Sequence, residues 1–240
     1  VCKAEKHTAA APAQRSCALS SANLARYQAP MEPGESSAAH LLARPGVKRV
    51  PSDRLELFRV PNFLAPDHCA ELIARIEAER RPSTLADANG DATFRTSEIC
   101  DLDAGLPPVQ TLEAALLALN GIDPAHGEPV QGQRYAEGQE FKPHCDYFNP
   151  GGQDWQRYTS VAGQRTWTFM VYLNEVEAGG GTRFKCIGKT FQPQTGTLIC
   201  WNNRRPDGSP NPNTLHHGMK VRRGTKYVIT KWYTEKPWGW

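Results

Sequence analysis

The sequence predicts a mainly β domain with flanking α-helices, arranged as an antiparallel sandwich or jelly roll. After about residue 128, short runs rich in Val, Ile, Thr and aromatic residues alternate with Gly, Pro and Asn turns, which is the pattern of many short strands. Before that point, two segments carry apolar residues at helical spacing. The 240 residues are enough for one domain with extensions.

The first part of the chain differs in composition from the rest. Residues 1–45 are rich in Ala, Ser and Pro, poor in aromatic residues and without a steady period, so they are predicted to be an N-terminal tail or extended arm. Residues 46–240 are predicted to form the folded domain. Within it, residues 64–122 would provide a helical support and residues 128–236 the jelly-roll core.

Two strands and a helix are predicted at the start of the domain. The runs VKRV, residues 47–50, and LELFRV, residues 55–60, have strand composition. The segment APDHCAELIARIEAER predicts a helix that buries Leu72, Ile73 and Ile76 on one side.

A second helix is predicted from apolar residues at the same helical spacing. In PPVQTLEAALLALNGI, Leu112, Leu116 and Leu119 recur on one face. The Asn120-Gly121 pair predicts the end of this helix, because glycine readily adopts the left-handed conformation that closes a helix.

The strands of the core are predicted from six short runs separated by turn residues. These runs are VQGQRYA, TWTFMVYLNEV, TRFKCI, TFQP, GTLICWNN and KYVITKWY.

Charge and composition exclude several classes of partner. The net charge is only +3, with 28 Lys and Arg against 25 Asp and Glu, so we expect no nucleic-acid partner. No apolar run approaches the roughly 20 residues that span a bilayer, so we expect no membrane partner. The seven cysteines include no Cys-x-x-Cys, which argues against a disulfide framework and a thiolate zinc site. A reducing, cytoplasmic location in a bacterium is the simplest expectation.

The segment FKPHCDY contains a candidate metal site. On an extended strand, His144 and Asp146 point to one side and Cys145 to the other. His-x-Asp occurs often by chance, so a third ligand is needed. His216 or His217 would complete a two-histidine, one-carboxylate set, which suits non-haem Fe(II). The two histidines point oppositely on a strand, and spacing alone does not choose between them.

The last predicted strand places a lysine with apolar residues. In KYVITKWY, Lys226, Val228, Thr230 and Trp232 share one face. If that face lies in the interior, Lys226 requires an anionic partner, because an unpaired buried charge is costly. The far carboxylate of an iron-chelating 2-oxoglutarate would be such a partner. The alternative is a solvent-exposed face with an exposed lysine.

Four segments together carry a family resemblance: QRYAEGQEFKPHCDYFNP, GQRTWTFMVYLNEVEAGGGTRF, FQPQTGTLICWNN and LHHGMKVRRGTKYVITKW. They resemble the bacterial alpha-subunit-like prolyl 4-hydroxylase branch of the 2-oxoglutarate/Fe(II)-dependent dioxygenases, over about residues 50–238. The family pattern is His-x-Asp, then His-x-Gly, then a lysine ten residues after that histidine. His216, Gly218 and Lys226 fit it, so the resemblance selects His216 as the third metal ligand. It also implies a double-stranded β-helix.

The resemblance implies a reaction, cofactors and further site residues. The implied activity is hydroxylation of a prolyl residue in a peptide or protein, with decarboxylation of 2-oxoglutarate to succinate. Fe(II), 2-oxoglutarate and O₂ are implied, with ascorbate as a further candidate. By the resemblance, Lys226, Tyr135 and Thr182 contact the cosubstrate and Arg165 holds the peptide. Tyr135 as a barrel aromatic, Thr182 as a strand-start residue and Arg165 as a surface residue are the alternatives.

The long connection at residues 148–165 is a candidate lid over the site, because loops of this length in compact domains often bind ligands. Trp155 and Tyr158 within it are candidate stacking residues for a bound substrate. Residues 94–100 are a candidate for the opposite rim. A mobile surface loop is the alternative.

Tyr147 and Trp232 are further candidate substrate contacts, although a tryptophan at such a position more commonly fills a core. One position departs from the family. Thr234 stands where some peptide-acting members carry a histidine, which weakens the implication of a peptide substrate.

Three other functions stay open. The chain could hydroxylate a free amino acid or small metabolite. It could be a zinc-binding β-barrel without oxygenase activity, but that class does not explain Lys226. It could also be an interaction protein with a degenerate site.

Overall fold

The computed structural model describes residues 37–83, 93–152 and 155–239. Most of the predicted arm, including Cys2 and Cys17, lies outside the described residues. The end of the arm is helical instead of extended, because Leu41 is fully buried against the domain. The cysteines within the described ranges are free thiols. No helix in these ranges is long and apolar enough to cross a bilayer.

Four α-helices lie in the described part of the chain: α1 (Ser37–Leu42), α2 (Pro66–Glu79), α3 (Pro107–Asn120) and α4 (Trp155–Ala162). Helices α2 and α3 confirm the two predicted helices, and each begins at a proline, which favours the first turn. Leu72 and Ile76 are buried, whereas Ile73 is only partly covered. Gly121 ends α3 with φ 65°, and its N–H donates to the carbonyl of Leu117.

Fourteen strands lie in the described part of the chain. They are β1 (Lys48–Arg49), β2 (Leu57–Val60), β3 (Arg81–Pro82), β4 (Glu98–Asp101), β5 (Gln131–Tyr135), β6 (Phe141–His144), β7 (Arg165–Tyr172), β8 (Ala178–Gly179), β9 (Thr182–Phe184), β10 (Lys189–Phe191), β11 (Leu198–Asn202), β12 (His216–Gly218), β13 (Val221–Arg223) and β14 (Lys226–Thr234).

The strands form two main antiparallel sheets, which confirms the jelly-roll prediction. The large sheet has the order β1-β2-β11-β7-β14-β5-β4-β3, and the small sheet has the order β10-β9-β12-β6. A further pair, β13-β8, lies outside both. After β5 the chain passes repeatedly between the two sheets, and hydrophobic side chains from both, such as Tyr172 and Phe184, pack in one cluster between them.

The predicted division of the domain differs from the structure in one respect. Residues 64–122, expected to be a helical support, also contribute β3 and β4 to the large sheet. β4 pairs with β5, and Glu98 and Arg134 are direct neighbours that form an ion pair of 2.5 Å. This pairing joins residues far apart in sequence, so no local sequence pattern predicts it.

The large sheet separates two hydrophobic clusters. On its outer face, Leu72 and Leu116 of the helices pack with Ile229 and Tyr233 of β14 in one cluster. On its inner face, residues such as Tyr172, Phe184 and Val228 fill the space between the sheets. Residues of β14 therefore alternate between the two clusters, and Lys226 falls on the inner side with Val228.

Candidate active site

Three potential metal ligands meet on the inner face of the small sheet. β12 pairs with β6 so that His216 lies directly opposite His144, and Asp146 follows two residues after the end of β6. His144 Nε2 lies 3.5 Å and His216 Nε2 lies 3.9 Å from Asp146 Oδ1. One ligand atom from each residue lies within 4.8 Å of the others. The register of two strands thus assembles residues that are more than 70 positions apart.

Backbone carbonyls fix the orientation of both imidazoles. His144 Nδ1–H donates to the carbonyl of Lys142 at 2.8 Å, and His216 Nδ1–H donates to the carbonyl of Thr214 at 2.9 Å. A neutral imidazole that donates from Nδ1 carries its lone pair on Nε2. Burial lowers the pKa of His216 to about 4, so this ring is neutral at pH 7 and can act as a ligand.

The carboxylate of Asp146 is oriented by a buried hydrogen-bond chain. Asp146 Oδ2 accepts a bond of 2.8 Å from Thr168 Oγ1, which in turn accepts a bond of 2.9 Å from Asn203 Nδ2. Oδ1 remains directed at the histidines. Burial by itself raises the pKa of Asp146, but His216 and His144 outweigh it, so the pKa lies well below its ordinary value and the group is ionised.

The arrangement fits a non-haem iron site. Two neutral imidazoles and one carboxylate form the set that non-haem Fe(II) oxygenases use, with other coordination positions left open. His144, Asp146 and His216 would hold the ion, since one ligand atom from each lies within 4.8 Å of the others. His217 is not part of the cluster, since its Nε2 lies 2.9 Å from Glu140 Oε2.

Lys226 lies in the same interior pocket as the three ligands. The pocket is lined by these residues together with Tyr135, Thr182, Trp201 and Trp232, among others. Lys226 is only 2% exposed, and its Nζ stands 5.1 Å and 5.5 Å from the ring centroids of Tyr135 and Tyr172. Burial lowers its pKa to about 7.

Lys231, a second buried lysine on β14, has a carboxylate partner, and Lys226 has none among the described residues. Lys231, 4% exposed, points to the opposite face and forms an ion pair of 2.5 Å with Glu113 of α3. In residues 37–83, 93–152 and 155–239, no carboxylate lies within the 4.0 Å ion-pair distance of Lys226 Nζ. Because an unpaired buried charge is costly, the counter-charge for Lys226 is expected from a ligand.

The two other predicted cosubstrate contacts also face this pocket. The Tyr135 hydroxyl donates to Gln133 Oε1 at 2.8 Å. The Tyr172 hydroxyl lies 2.7 Å from Thr182 Oγ1 and 3.3 Å from the carbonyl oxygen of Phe191, so this bond holds the Thr182 side chain at the pocket wall. Their contact with a cosubstrate stays a prediction.

A wider cleft of about 820 Å³ opens in front of the metal ligands. Its lining is rich in aromatic side chains, namely Phe94, Phe141, Tyr147, Phe148, Trp155, Tyr158, Trp232 and Trp238. Trp232 lines both the cleft and the interior pocket, so it stands at the junction between them. Its buried Nε1–H has no hydrogen-bond partner among the described residues.

Arg165 is held by other residues of the chain. Its guanidinium forms a bidentate pair with Glu128, with distances of 2.5 Å and 2.7 Å. The same group lies 4.1 Å from the ring centroid of Trp232 and 4.8 Å from that of Phe148. Arg165 therefore lines the cleft, as expected of a substrate contact, but its geometry first serves to position Trp232. The sequence did not single out Glu128, Thr168 or Asn203.

The candidate lid contains a helix instead of irregular loop. Helix α4 occupies residues 155–162, and Trp155 at its start lines the cleft together with Tyr147. Tyr158 stacks on Phe148, with centroids 5.1 Å apart. Phe94 and Arg95, from the segment predicted as the other rim, also line the cleft. A closing motion of the lid stays a prediction.

Comparison with known proteins agrees with this geometry. The family model of the 2OG-Fe(II) oxygenase superfamily matches residues 130–234. The probable prolyl 4-hydroxylase 3 of Arabidopsis thaliana is 31% identical over 195 residues, which cover 71% of this chain and 66% of that protein, slightly under two thirds of its length.

Two solved structures have a similar fold. The viral collagen prolyl hydroxylase of Paramecium Bursaria Chlorella virus-1, in complex with 2OG, matches with a TM-score of 0.57 and 26% identity, over 73% of this chain and 94% of that chain. A Pseudomonas putida prolyl-4-hydroxylase matches in fold, with a TM-score of 0.55 and 21% identity, over 75% of this chain and 92% of that chain. Residues 130–234 thus carry the domain of the 2OG-Fe(II) oxygenase superfamily, and the chain is similar to prolyl 4-hydroxylases over about 70% of its length.

Proposed function

We propose that this protein is a 2-oxoglutarate- and Fe(II)-dependent dioxygenase that hydroxylates a prolyl residue in a peptide or protein. The observation that carries the cosubstrate assignment is Lys226, a buried lysine beside the metal ligands and without a described carboxylate partner. A metal-chelating dianion whose far carboxylate pairs with Lys226 satisfies both the ligand set and the buried charge.

The metal ligands, Lys226 and Trp232 would each have a distinct role in the reaction. His144, Asp146 and His216 would hold Fe(II), and Lys226 would bind the far carboxylate of 2-oxoglutarate. Bound iron with 2-oxoglutarate and O₂ supplies the oxidation of a C–H bond, coupled to decarboxylation of 2-oxoglutarate to succinate and CO₂. Trp232, held by Arg165, separates the pocket from the outer cleft, where the substrate would be placed and water excluded.

The charges of the cleft favour an uncharged prolyl segment over a free amino acid. A free amino acid carries an ammonium group that needs a carboxylate partner. Of the described carboxylates in the cleft, Glu128 is paired with Arg165, Asp101 with Arg81, and Asp146 belongs to the metal set. Aromatic surfaces pack well against a proline ring without any charge requirement.

A coupled assay tests this proposal. The full chain, with Fe(II), 2-oxoglutarate, ascorbate and O₂, is incubated with poly-L-proline, with free L-proline or without substrate. Succinate is quantified and products are examined by mass spectrometry for one added oxygen. We expect poly-L-proline to stimulate succinate formation and to gain oxygen, and Lys226→Met to abolish stimulation at ordinary 2-oxoglutarate concentration.

Other outcomes have defined meanings. Oxygenation of free proline but not of the polymer would overturn the peptide assignment and favour a small-molecule hydroxylase. Failure of the metal-loaded protein to bind 2-oxoglutarate would overturn the dioxygenase assignment and favour a metal-binding β-barrel of another class.

A further inference from the structure

A second cavity, of about 430 Å³, lies away from the metal centre and is surrounded by cationic side chains. The basic residues that line it are Lys48 and Arg49 of β1, Arg59 of β2 and Lys189 of β10. β1 is the end strand of the large sheet and β10 the end strand of the small sheet, whereas β6 with its metal ligand lies at the other end of the small sheet. We call this space the basic cavity. It shares no lining residue with the pocket of Lys226.

No residue that the structure describes neutralises the positive charges of the basic cavity. No Asp or Glu is among its lining residues, and none of its four cations forms an ion pair with any residue that the structure describes. Lys48 and Arg59 are direct cross-strand partners, an arrangement in which like charges repel. Arg59 donates instead to the neutral amide oxygen of Gln194. An anion between these residues would remove the repulsion.

The remaining lining includes neutral groups that can bind an anion. Gln192, Gln194 and Thr190 carry hydrogen-bond donors, and the fully buried Tyr172 and Ile199 also line the cavity. Arginine forks match phosphate oxygens in pairs, and the volume lies within the usual range of small-molecule sites. We propose that the basic cavity binds a small multivalent anion of the organic-phosphate class.

The proposal is tested by calorimetry on the full chain, loaded with Fe(II) and saturating 2-oxoglutarate under argon so that the cosubstrate site is already filled. The probes are fructose 1,6-bisphosphate and sodium sulfate, each at ionic strength matched with sodium chloride. We expect saturable, one-site binding of the bisphosphate, weaker binding of sulfate at the same site, and no saturable heat with chloride alone.

Substitutions locate the binding. Arg59→Gln and Lys189→Gln should each weaken bisphosphate binding about tenfold, as expected for one charge-assisted contact. Lys185→Gln removes an exposed charge outside the cavity and should leave the affinity within about twofold. If Arg59→Gln impairs folding, the exposed Lys189 decides the question by itself.

Several results would overturn the proposal. Absence of saturable binding by both probes would exclude the anion site. Equal losses in Lys189→Gln and Lys185→Gln would indicate diffuse charge attraction instead of a site. Binding of sulfate without binding of the bisphosphate would exclude the organic-phosphate class.

Discussion

The hydroxyl of Thr168 is expected to determine how tightly the protein holds its metal. This hydroxyl donates to Asp146 Oδ2 at 2.8 Å and accepts from Asn203 Nδ2 at 2.9 Å, and Thr168 is fully buried. Thr168→Val keeps the shape of the side chain but removes both bonds. Asp146 would then lose the contact that keeps Oδ1 directed at the histidines.

The size of the effect follows from the kind of bond that is lost. A hydrogen bond to a charged group contributes about 1.5–3 kcal/mol, and each 1.4 kcal/mol corresponds to about tenfold in affinity. Part of the loss will appear as lower stability of the folded protein, because Asn203 Nδ2 also loses its acceptor. We therefore expect Fe(II) affinity to fall by roughly tenfold to a hundredfold, as is typical for partners of metal ligands.

The assay is an anaerobic titration of metal-free full-length protein with Fe(II) in excess 2-oxoglutarate, followed by the visible charge-transfer band of the chelate. Thr166→Val is the matched control. Thr166 lies on the same strand and is also buried, but its hydroxyl donates to the carbonyl of Tyr233 at 3.0 Å. Both variants should lose thermal stability, and only Thr168→Val should lose metal affinity. Thr168→Ser, which restores the hydroxyl, should recover most of it.

A folded Thr168→Val variant that bound Fe(II) as tightly as Thr166→Val would refute the role of the Thr168 hydroxyl in metal affinity. In that case the orientation of Asp146 would be set by its backbone and by the histidines alone.

His216→Ala should abolish the chelate band, whereas His217→Ala should retain it, because His217 pairs with Glu140 outside the metal cluster. Since burial lowers the pKa of Lys226 to about 7 and a bound carboxylate favours its charged form, 2-oxoglutarate binding should take up a proton above pH 7. Its affinity should therefore fall as pH rises from about 7 to 9, and calorimetry should show a flatter profile for Lys226→Arg, whose charge persists. Gly121→Ala should lower the free energy of unfolding by about 1 kcal/mol in urea titrations, because φ at this position is 65°.

The sequence predicted α2 and α3 well because the signals of these helices are local, whereas α1 and α4 were not predicted. The apolar spacing of Leu112, Leu116 and Leu119 and the Asn120-Gly121 pair lie within one element, and the structure buries the first three and ends the helix at the last two. The six predicted runs after residue 128 correspond to β5, β7, β9, β10, β11 and β14 within about four residues, whereas the short strands β8 and β13 were not predicted.

Contacts that depend on strand pairing could not be predicted from the spacing of residues in the sequence. Residue spacing allowed either His216 or His217 as a ligand, and only the register that sets His216 opposite His144 separates them physically. The pair between Arg165 and Glu128 joins residues 37 positions apart, one at the start of β7 and one in the connection before β5, so neither residue predicts the other in sequence. Long-range partners of this kind are fixed by topology and not by local pattern.

Local sequence patterns do not predict the partners of polar residues within apolar strands, and one such residue in β14 lies in the candidate active site. In KYVITKWY the two lysines, Lys226 and Lys231, have nearly the same apolar surroundings in sequence, and both are buried. Period two places them on opposite faces of β14, but does not say which face lacks a counter-charge. Glu113, 118 positions before Lys231, neutralises that lysine from α3. What distinguishes Lys226 is therefore the composition of the elements packed against each face. Among the residues that the structure describes, Lys226 has no carboxylate partner, and it lies beside three potential metal ligands. A ligand that brings the missing negative charge best explains this arrangement.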